Sequence, residues 1–472
     1  MSDEHAPEIC VIGGGPGGIA LAIAAANQGL PVVLIEKDRL GGASLREGGV
    51  PARALGAAAA LHEALRRGPA FGVSGAPLQV NPARVEEHVR AVVEAAAASV
   101  SAERLDAFGI RLIRGEGRFL DRRTVAAGEA RVRARSFVIA TGSVPVIPDH
   151  DGLDAIEVLD AAAALELSRK PAHLIVLGAG ARALELAQAL NRLGVDSSVI
   201  DAGPVLPGAD PELVAPLLDR LRAEGIRVRS SADIVGFARR KGGVRVTVRE
   251  NGEEVAIDGS HVVVMPDRTP NVAGLGLDAA GIAHESQGIV VDRSLRTTNR
   301  RVFAIGDAVA GPASVSRAEH HAAVVLRAIA GGRARGDAES GVPSVVHTDP
   351  ELAHVGLGEQ EARARHKLIR VLRVPFAEND LAQAERTTAG LVKVIATDRG
   401  RILGAGVTGR GAGEIVALWS LAIANGLGIE ALKSVPLPYP SRADIVRRVA
   451  IAFDGPGRTP LRRTGLFRWG GG

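Results

Sequence analysis

The feature that most constrains the fold occurs twice. At the start of the chain, "EICVI" is a short apolar run of strand type, followed by "GGGPGG" with Gly13, Gly15 and Gly18 in G-x-G-x-x-G spacing. A small-residue helix, "IALAIAAANQG", then ends at Gly29, and the strand "PVVLIEK" brings in Glu36. The unit recurs as "LIVLGAG", with Gly178, Gly180 and Ala183 in the turn, the helix "LELAQALNRLG", and the strand "DSSVID" ending on Asp201. The first glycine permits a tight turn and the second lets a pyrophosphate approach the backbone. The third small residue lets the helix pack closely on the strand. Free N–H groups and the dipole at the helix N-terminus favour the phosphates. Glu36 and Asp201 stand at the same distance after the first glycine of their units, where a carboxylate accepts from a ribose diol. Two dinucleotide sites are therefore expected, both live. The alternative is a duplication with one dead copy. Asp201, with no Arg between Ala202 and Gly208, favours a ribose with a free 2′-hydroxyl, hence NADH over NADPH.

Composition narrows the class. At 472 residues, 46% of them hydrophobic, the chain predicts about three domains. The net charge of +4 and 3% aromatics give no basic stripe with stacking platforms, so no nucleic-acid partner is expected. No apolar run is long enough to span a membrane, and "MSDEHAPEICVIGGG" lacks the basic and apolar regions of a signal peptide. A cytoplasmic enzyme is expected. The single cysteine, Cys10, excludes an internal disulfide, and the twelve histidines show no metal-ligand spacing. Adjacent His320 and His321 point in different directions on a helix, so no metal is expected.

With "VIATGSVP" (138–145) and "RVFAIGDAV" (301–309), the chain resembles the flavin-dependent pyridine nucleotide–disulfide oxidoreductases, the family of dihydrolipoamide dehydrogenase, glutathione reductase and mercuric reductase. "HTDPELAHVGLGEQEA" and "GRILGAGVTGRGAGEIV" resemble its C-terminal domain. The resemblance implies an α/β fold with two Rossmann-like domains, one for FAD and one for NAD, plus a C-terminal α+β dimerisation domain. The expected boundaries are 1–150 for the first part of the FAD domain, 151–271 for the NAD domain, 272–343 for the return, 344–455 for dimerisation and 456–472 for a basic tail. FAD is expected on Gly13, Gly15, Gly18, Glu36, Gly42, Gly117, Thr141, Gly142 and Asp307, and NAD on Gly178, Gly180 and Asp201. The resemblance also implies a homodimer whose active sites draw on both subunits.

The stretch "GGASLREGGVPARAL" (41–55) departs from that family. It reads as a catalytic loop in which Ser44 and Gly49 stand where relatives carry two redox cysteines. In "YPSRAD", Tyr439 takes the place of the family's histidine base and Asp444 that of its glutamate. A phenol is a poor base at neutral pH but can donate a proton. Arg53 replaces the family's lysine, and Glu185 matches its acidic partner near flavin N5. Ser44 is either a hydrogen-bond donor to flavin or acceptor or a plain spacer. Arg46 is either a lure for an anionic or carbonyl-bearing acceptor or a solvated loop charge. Met265, Pro266 and Asp267 also depart from the family and bear on NADH binding. Thiol–disulfide exchange cannot run on this chain. The expectation is hydride from NADH to FAD and then to a small, quinone-like acceptor. The alternatives are a non-catalytic flavoprotein with a docking or sensing role and an NADH oxidase using dioxygen. The tail, mixing Arg with Leu, Phe and Trp, is either a disordered end or strap or a membrane-surface contact.

Overall fold

The computed structural model describes residues 4–76, 78–332, 338–339 and 341–454; the tail 456–472 lies outside the described residues. Two parallel five-stranded sheets of the same design carry the two glycine units. In the first, the strands run in the spatial order Val302–Ala304, Ser136–Ile139, Ile9–Ile12, Val32–Glu36, Arg111–Arg114. In the second they run Val158–Leu159, His261–Val264, His173–Leu177, Asp196–Ile200, Arg227–Arg229. Each glycine unit supplies the two strands that pair directly, Ile9↔Val32 and His173↔Asp196. Strands buried on both faces need continuous apolar runs, and Ile9, Cys10, Val11 and Ile12 are all buried.

The first sheet uses chain from both sides of the second. Ser136–Ile139 precedes that sheet in sequence and Val302–Ala304 follows it. The crossing points lie side by side, because Ser143–Pro145 pairs antiparallel with Arg268–Pro270. This ribbon sets Ser143 beside Arg268 at the junction of the two sheets.

Helix α1 (Pro16–Ala26) follows the first glycine turn, stopping three residues before the expected Gly29; Gly29 instead closes the turn at φ +76°. The stretch 41–55 is mostly not a loop. Gly42–Leu45 forms a 3₁₀ turn and α2 (Gly49–Arg66) begins directly at the second family cysteine position. Helix α3 (Pro82–Ala98), capped by the Asn81 side chain on Arg84 N, packs beside α2.

The C-terminal region is an antiparallel five-stranded sheet, in the order Ser344–Val346, Glu351–Gly356, Ile402–Gly409, Leu391–Thr397, Ile369–Pro375. Helices Ala412–Ala424 and Asp444–Ala452 help close its core around fully buried Trp419, Phe376 and Phe453. An ion cluster ties it to the second sheet's domain. Lys393, 4% exposed, lies 2.6 Å from Asp210, 2.8 Å from Glu212 and 2.8 Å from Glu359. Hydrogen bonds from Arg373, then Lys393, pull the Glu212 carboxyl from 4.5 down to about 2. A carboxyl depressed in the folded state stabilises above its unfolded value and loses that contribution as pH falls through the folded one. The wild type is therefore expected to lose stability in urea melts between pH 4.5 and about 2. Glu212→Gln is expected to be less stable at neutral pH and less acid-sensitive over that window. Identical acid profiles for the two proteins would contradict this assignment.

Candidate functional site

The two glycine turns share one geometry. Gly13 has φ +112°, and a Cβ there would lie 2.4 Å from Ala140 O; Gly178 has φ +109°, with Met265 O 2.7 Å away. Only glycine fits either position. A Cβ on Gly18 would meet Gly13 O at 2.0 Å, the close helix–strand contact that the spacing predicts. In contrast, Cβ atoms on Gly15 and Gly180 would meet nothing within 4 Å. These two residues cap helices at points where a side chain would meet no protein atom, leaving at the helix N-terminus the room a pyrophosphate requires.

The carboxylates at the ends of the second strands also match. Glu36 accepts from Gly14 N at 2.6 Å and Asp38 N at 2.7 Å. Asp201 accepts from Ala179 N at 2.6 Å and Gly203 N at 2.6 Å. Each is fixed beside its own turn by two backbone donors.

Around the first turn lies a cavity of about 460 Å³ lined by Gly13, Gly15, Gly18, Glu36, Gly42, Thr141, Gly142 and Asp307. A side pocket of about 60 Å³ continues it past Glu36 to Gly117 and Asn271. Gly117 is needed for packing, since a Cβ would strike Ile12 at 2.8 Å. Gly42, at φ +61°, brings the 3₁₀ turn against Gly15, with a Cβ placed 3.2 Å from Gly15 Cα. Thr141 Oγ1 is enclosed without a hydrogen-bond partner. A lining rich in glycines and an orphaned hydroxyl make a cradle that fits a long dinucleotide such as FAD.

At one end of this cavity, Asp307, a residue the sequence singled out, joins a chain of contacts through Ser143 and Glu47, which the sequence did not mark. Asp307 accepts from Ser143 Oγ at 2.8 Å, and Ser143 Oγ accepts from Arg268 Nε at 2.9 Å. Arg268 also donates to Glu47 Oε2 at 2.6 Å, and Arg182 donates to Glu47 O. Glu47 thus ties the turn between the 3₁₀ segment and α2 to the Arg268–Pro270 strand of the ribbon and to helix Ala181–Arg192. Burial and the neighbouring Arg268 charge lower the Arg182 pKa, and the Glu47 and Glu185 carboxylates oppose that shift.

Two polar side chains of the 41–55 stretch have local partners. The Ser44 hydroxyl donates to Gly41 O at 2.8 Å, which closes the local turn and matches the spacer reading of this residue. Arg46 is held by Asp38 at 2.5 Å and Arg39 O at 3.2 Å, so it fixes the strand-end turn and is not a free lure. Arg53 and Glu185 are brought together at 3.9 Å, and both also engage the His347 backbone, at 2.9 and 2.7 Å.

A second cavity, about 730 Å³, opens beside this end between α1, α2 and α3. Ser44, Gly49, Val50, Ala54 and Val92 line it, with Arg53 and Glu319 at its polar edges. Gly49 is at φ +44° with a Cβ placed 2.7 Å from Ser44 O, so the backbone here is built around glycine. No sulfur lines this cleft. Cys10, the only cysteine, is fully buried in its strand, where desolvation pushes its thiol pKa well above the usual range.

Tyr439 lies on the C-terminal region, 73% exposed. Its hydroxyl donates to Asp380 Oδ2 at 3.1 Å, not to Asp444. Asp444, 5% exposed, is taken by Arg447 at 2.6 Å and Arg448 at 3.2 Å. The Asp380 hydrogen bond and charge raise the phenol pKa, so the group holds its proton at neutral pH. Among the described residues there is no cluster able to hold a metal ion, and no helix is long and apolar enough to cross a membrane.

Two linked dinucleotide folds, a glycine cradle and an antiparallel C-terminal domain define a class, and comparison with known proteins gives its name. Residues 7–322 match the pyridine nucleotide-disulphide oxidoreductase family, and residues 342–450 match that family's dimerisation domain. The chain belongs to this family, whose members depend on FAD and NAD(P). It is 34% identical over 451 residues to a dihydrolipoyl dehydrogenase of Geobacillus stearothermophilus, covering 94% of this chain and 95% of the relative. A mercuric reductase of Staphylococcus aureus is 27% identical, over 95% of this chain and 82% of the relative. Among solved structures, LpdA from Mycobacterium tuberculosis superposes with a TM-score of 0.86 at 26% identity, over 95% of this chain and 99% of LpdA. The HOCl-induced flavoprotein disulfide reductase RclA from Escherichia coli shares the fold, with a TM-score of 0.82 at 24% identity over 94% of this chain and 99% of RclA.

Proposed function

We propose that this protein is an FAD-dependent NADH oxidoreductase that reduces a small diffusible acceptor of quinone type without a thiol relay. The observation that carries this reading is the sulfur-free apolar cleft at Ser44 and Gly49, where the resembled family places its redox cysteines. When bound, FAD supplies a carrier that accepts hydride and returns electrons to an acceptor. The chain's own residues do the rest. Glu36 and the Gly15 turn hold the FAD ribose and pyrophosphate, while Gly180 and Asp201 hold those of NADH. Asp201 and the lack of an arginine between 202 and 208 support NADH over NADPH.

Arg53 and Glu185 hold each other where the second domain meets α2 and orient the nicotinamide side. The apolar walls of Val50, Ala54 and Val92 exclude water and accept a flat, apolar molecule. Tyr439, presented by the partner subunit of a homodimer, turns its hydroxyl away from Asp380 to donate the proton that a reduced carbonyl oxygen needs. A single buried cysteine suits a cytoplasmic setting.

Steady-state assays of the purified holoprotein test this reading. NADH oxidation is expected to be supported by a water-soluble quinone, and oxidised lipoamide or glutathione disulfide should give no rate above background. Lipoamide turnover comparable to the quinone rate would overturn it. The absence of turnover with quinones and dioxygen alike would favour the non-catalytic reading.

A further inference from the structure

A third cavity, about 310 Å³, lies where three parts of the chain meet: α2, helix Ala181–Arg192, and the segments 347–351 and 410–411 of the C-terminal region. It is on the other side of Arg53 and Ala57 from the apolar cleft, and its face on the Ala181–Arg192 helix begins at Glu185, past the glycine turn. It therefore belongs to neither the acceptor cleft nor the dinucleotide turn.

Its charges are unequally spent. Every acidic side chain in the wall already has a donor. Glu63 takes Arg220 at 2.8 Å and Arg66 at 2.9 Å, and Asp349 takes Arg192 at 2.8 Å. Glu351 accepts from Gly413 N at 3.0 Å, and Glu185 accepts from His347 N at 2.7 Å. Among the arginines of the wall, Arg192 is spent on Glu224 and Asp349 and Arg53 is shared with Glu185 and the His347 carbonyl, whereas Arg67 and Arg410 have no carboxylate partner among the described residues. Arg410 makes no hydrogen bond or ion pair among the described residues. Arg67 reaches only the backbone carbonyls of Glu385 and Arg386 and has no carboxylate. Arg53 Nε is enclosed with no partner at all. A buried donor without an acceptor is costly, and three guanidinium groups on one cavity attract an anion with several oxygens.

We infer that this cavity binds a small anion bearing two or more carboxylate or phosphate oxygens, held by Arg53, Arg67 and Arg410. Arg53 belongs to both this cavity and the redox end, so occupancy here reaches the Arg53–Glu185 pair. Binding itself does not depend on the redox reading and is measured without NADH.

The test is the thermal midpoint of the holoprotein, titrated separately with citrate and inorganic phosphate at constant ionic strength in chloride. One or both are expected to raise the midpoint saturably, and the responding anion distinguishes carboxylate from phosphate. Arg410→Gln, at an exposed and unpaired side chain, is expected to weaken the apparent affinity about 10-fold or more, the loss of one charge-assisted hydrogen bond. Arg131→Gln, an exposed control at a residue outside the cavity lining, is expected to leave it unchanged. The inference is overturned if neither anion acts beyond chloride, if Arg410→Gln responds like wild type, or if both variants lose the response equally.

Discussion

Gly15→Val is expected to give a folded, colourless protein. The backbone at Gly15 is at φ −76°, ordinary for any residue, and a Cβ there meets no protein atom within 4 Å. Valine therefore costs the polypeptide little. Its methyl groups would instead fill the space in front of the α1 N-terminus, where the pyrophosphate must accept from backbone N–H groups. Losing two charge-assisted hydrogen bonds at about 1.5–3 kcal/mol each weakens FAD binding by roughly 100-fold or more. Visible absorbance reports the flavin, and circular dichroism with a thermal melt reports the fold. Gly18→Val should behave differently, because its Cβ would sit 2.0 Å from Gly13 O and the fold itself must give way. A yellow Gly15→Val protein with full flavin content would refute the cradle assignment.

Tyr439→Phe is expected to slow acceptor reduction by about 100-fold, the low end of what a positioned general acid contributes. Flavin reduction by NADH should be unchanged, since the phenol is assigned to proton delivery alone. Asp380 raises the Tyr439 pKa through its hydrogen bond and its charge. A donor with a raised pKa is protonated at lower pH and fails only as pH climbs past that raised value. The acceptor half-reaction should therefore be flat through neutrality and fall on the alkaline side. Asp380→Asn should move that alkaline fall to lower pH while leaving the NADH half-reaction intact. Stopped-flow measurement of the two half-reactions separates these effects. A Tyr439→Phe protein with a wild-type acceptor rate would remove Tyr439 from the mechanism.

The two glycine turns were legible in the sequence because their requirements are local. A positive φ at Gly13 and Gly178, and a Cβ-free contact at Gly18, demand glycine whatever surrounds them. The spacing to Glu36 and Asp201 follows from one helix and one strand, so periodicity sufficed to place them. Glu47 was not legible. It acts through Arg182 and Arg268, which are 135 and 221 residues away, and nothing in the local pattern marks it. Asp380 was missed for a related reason. Motif spacing pointed to Asp444, but Arg447 and Arg448 on the same helix neutralise that carboxylate, and the acceptor for Tyr439 comes from 59 residues upstream. The 41–55 stretch carried a different error. Its likeness to the family's catalytic segment suggested a loop, whereas positive φ at Gly41, Gly42 and Gly49 serves the 3₁₀ turn and the start of α2. At Gly49 the missing side chain is what lets Ser44 O pack against the start of the helix.

The central claim is that no sulfur of this chain takes part in electron transfer, and Cys10→Ala tests it most directly because it leaves the polypeptide with no thiol. The two half-reactions, NADH bleaching the bound flavin under argon and a quinone restoring its colour, would be followed in the variant and the wild type. The account predicts equal rates for both steps. A variant that keeps its FAD and bleaches normally with NADH, yet passes electrons to the quinone at least roughly 10-fold more slowly, would contradict it.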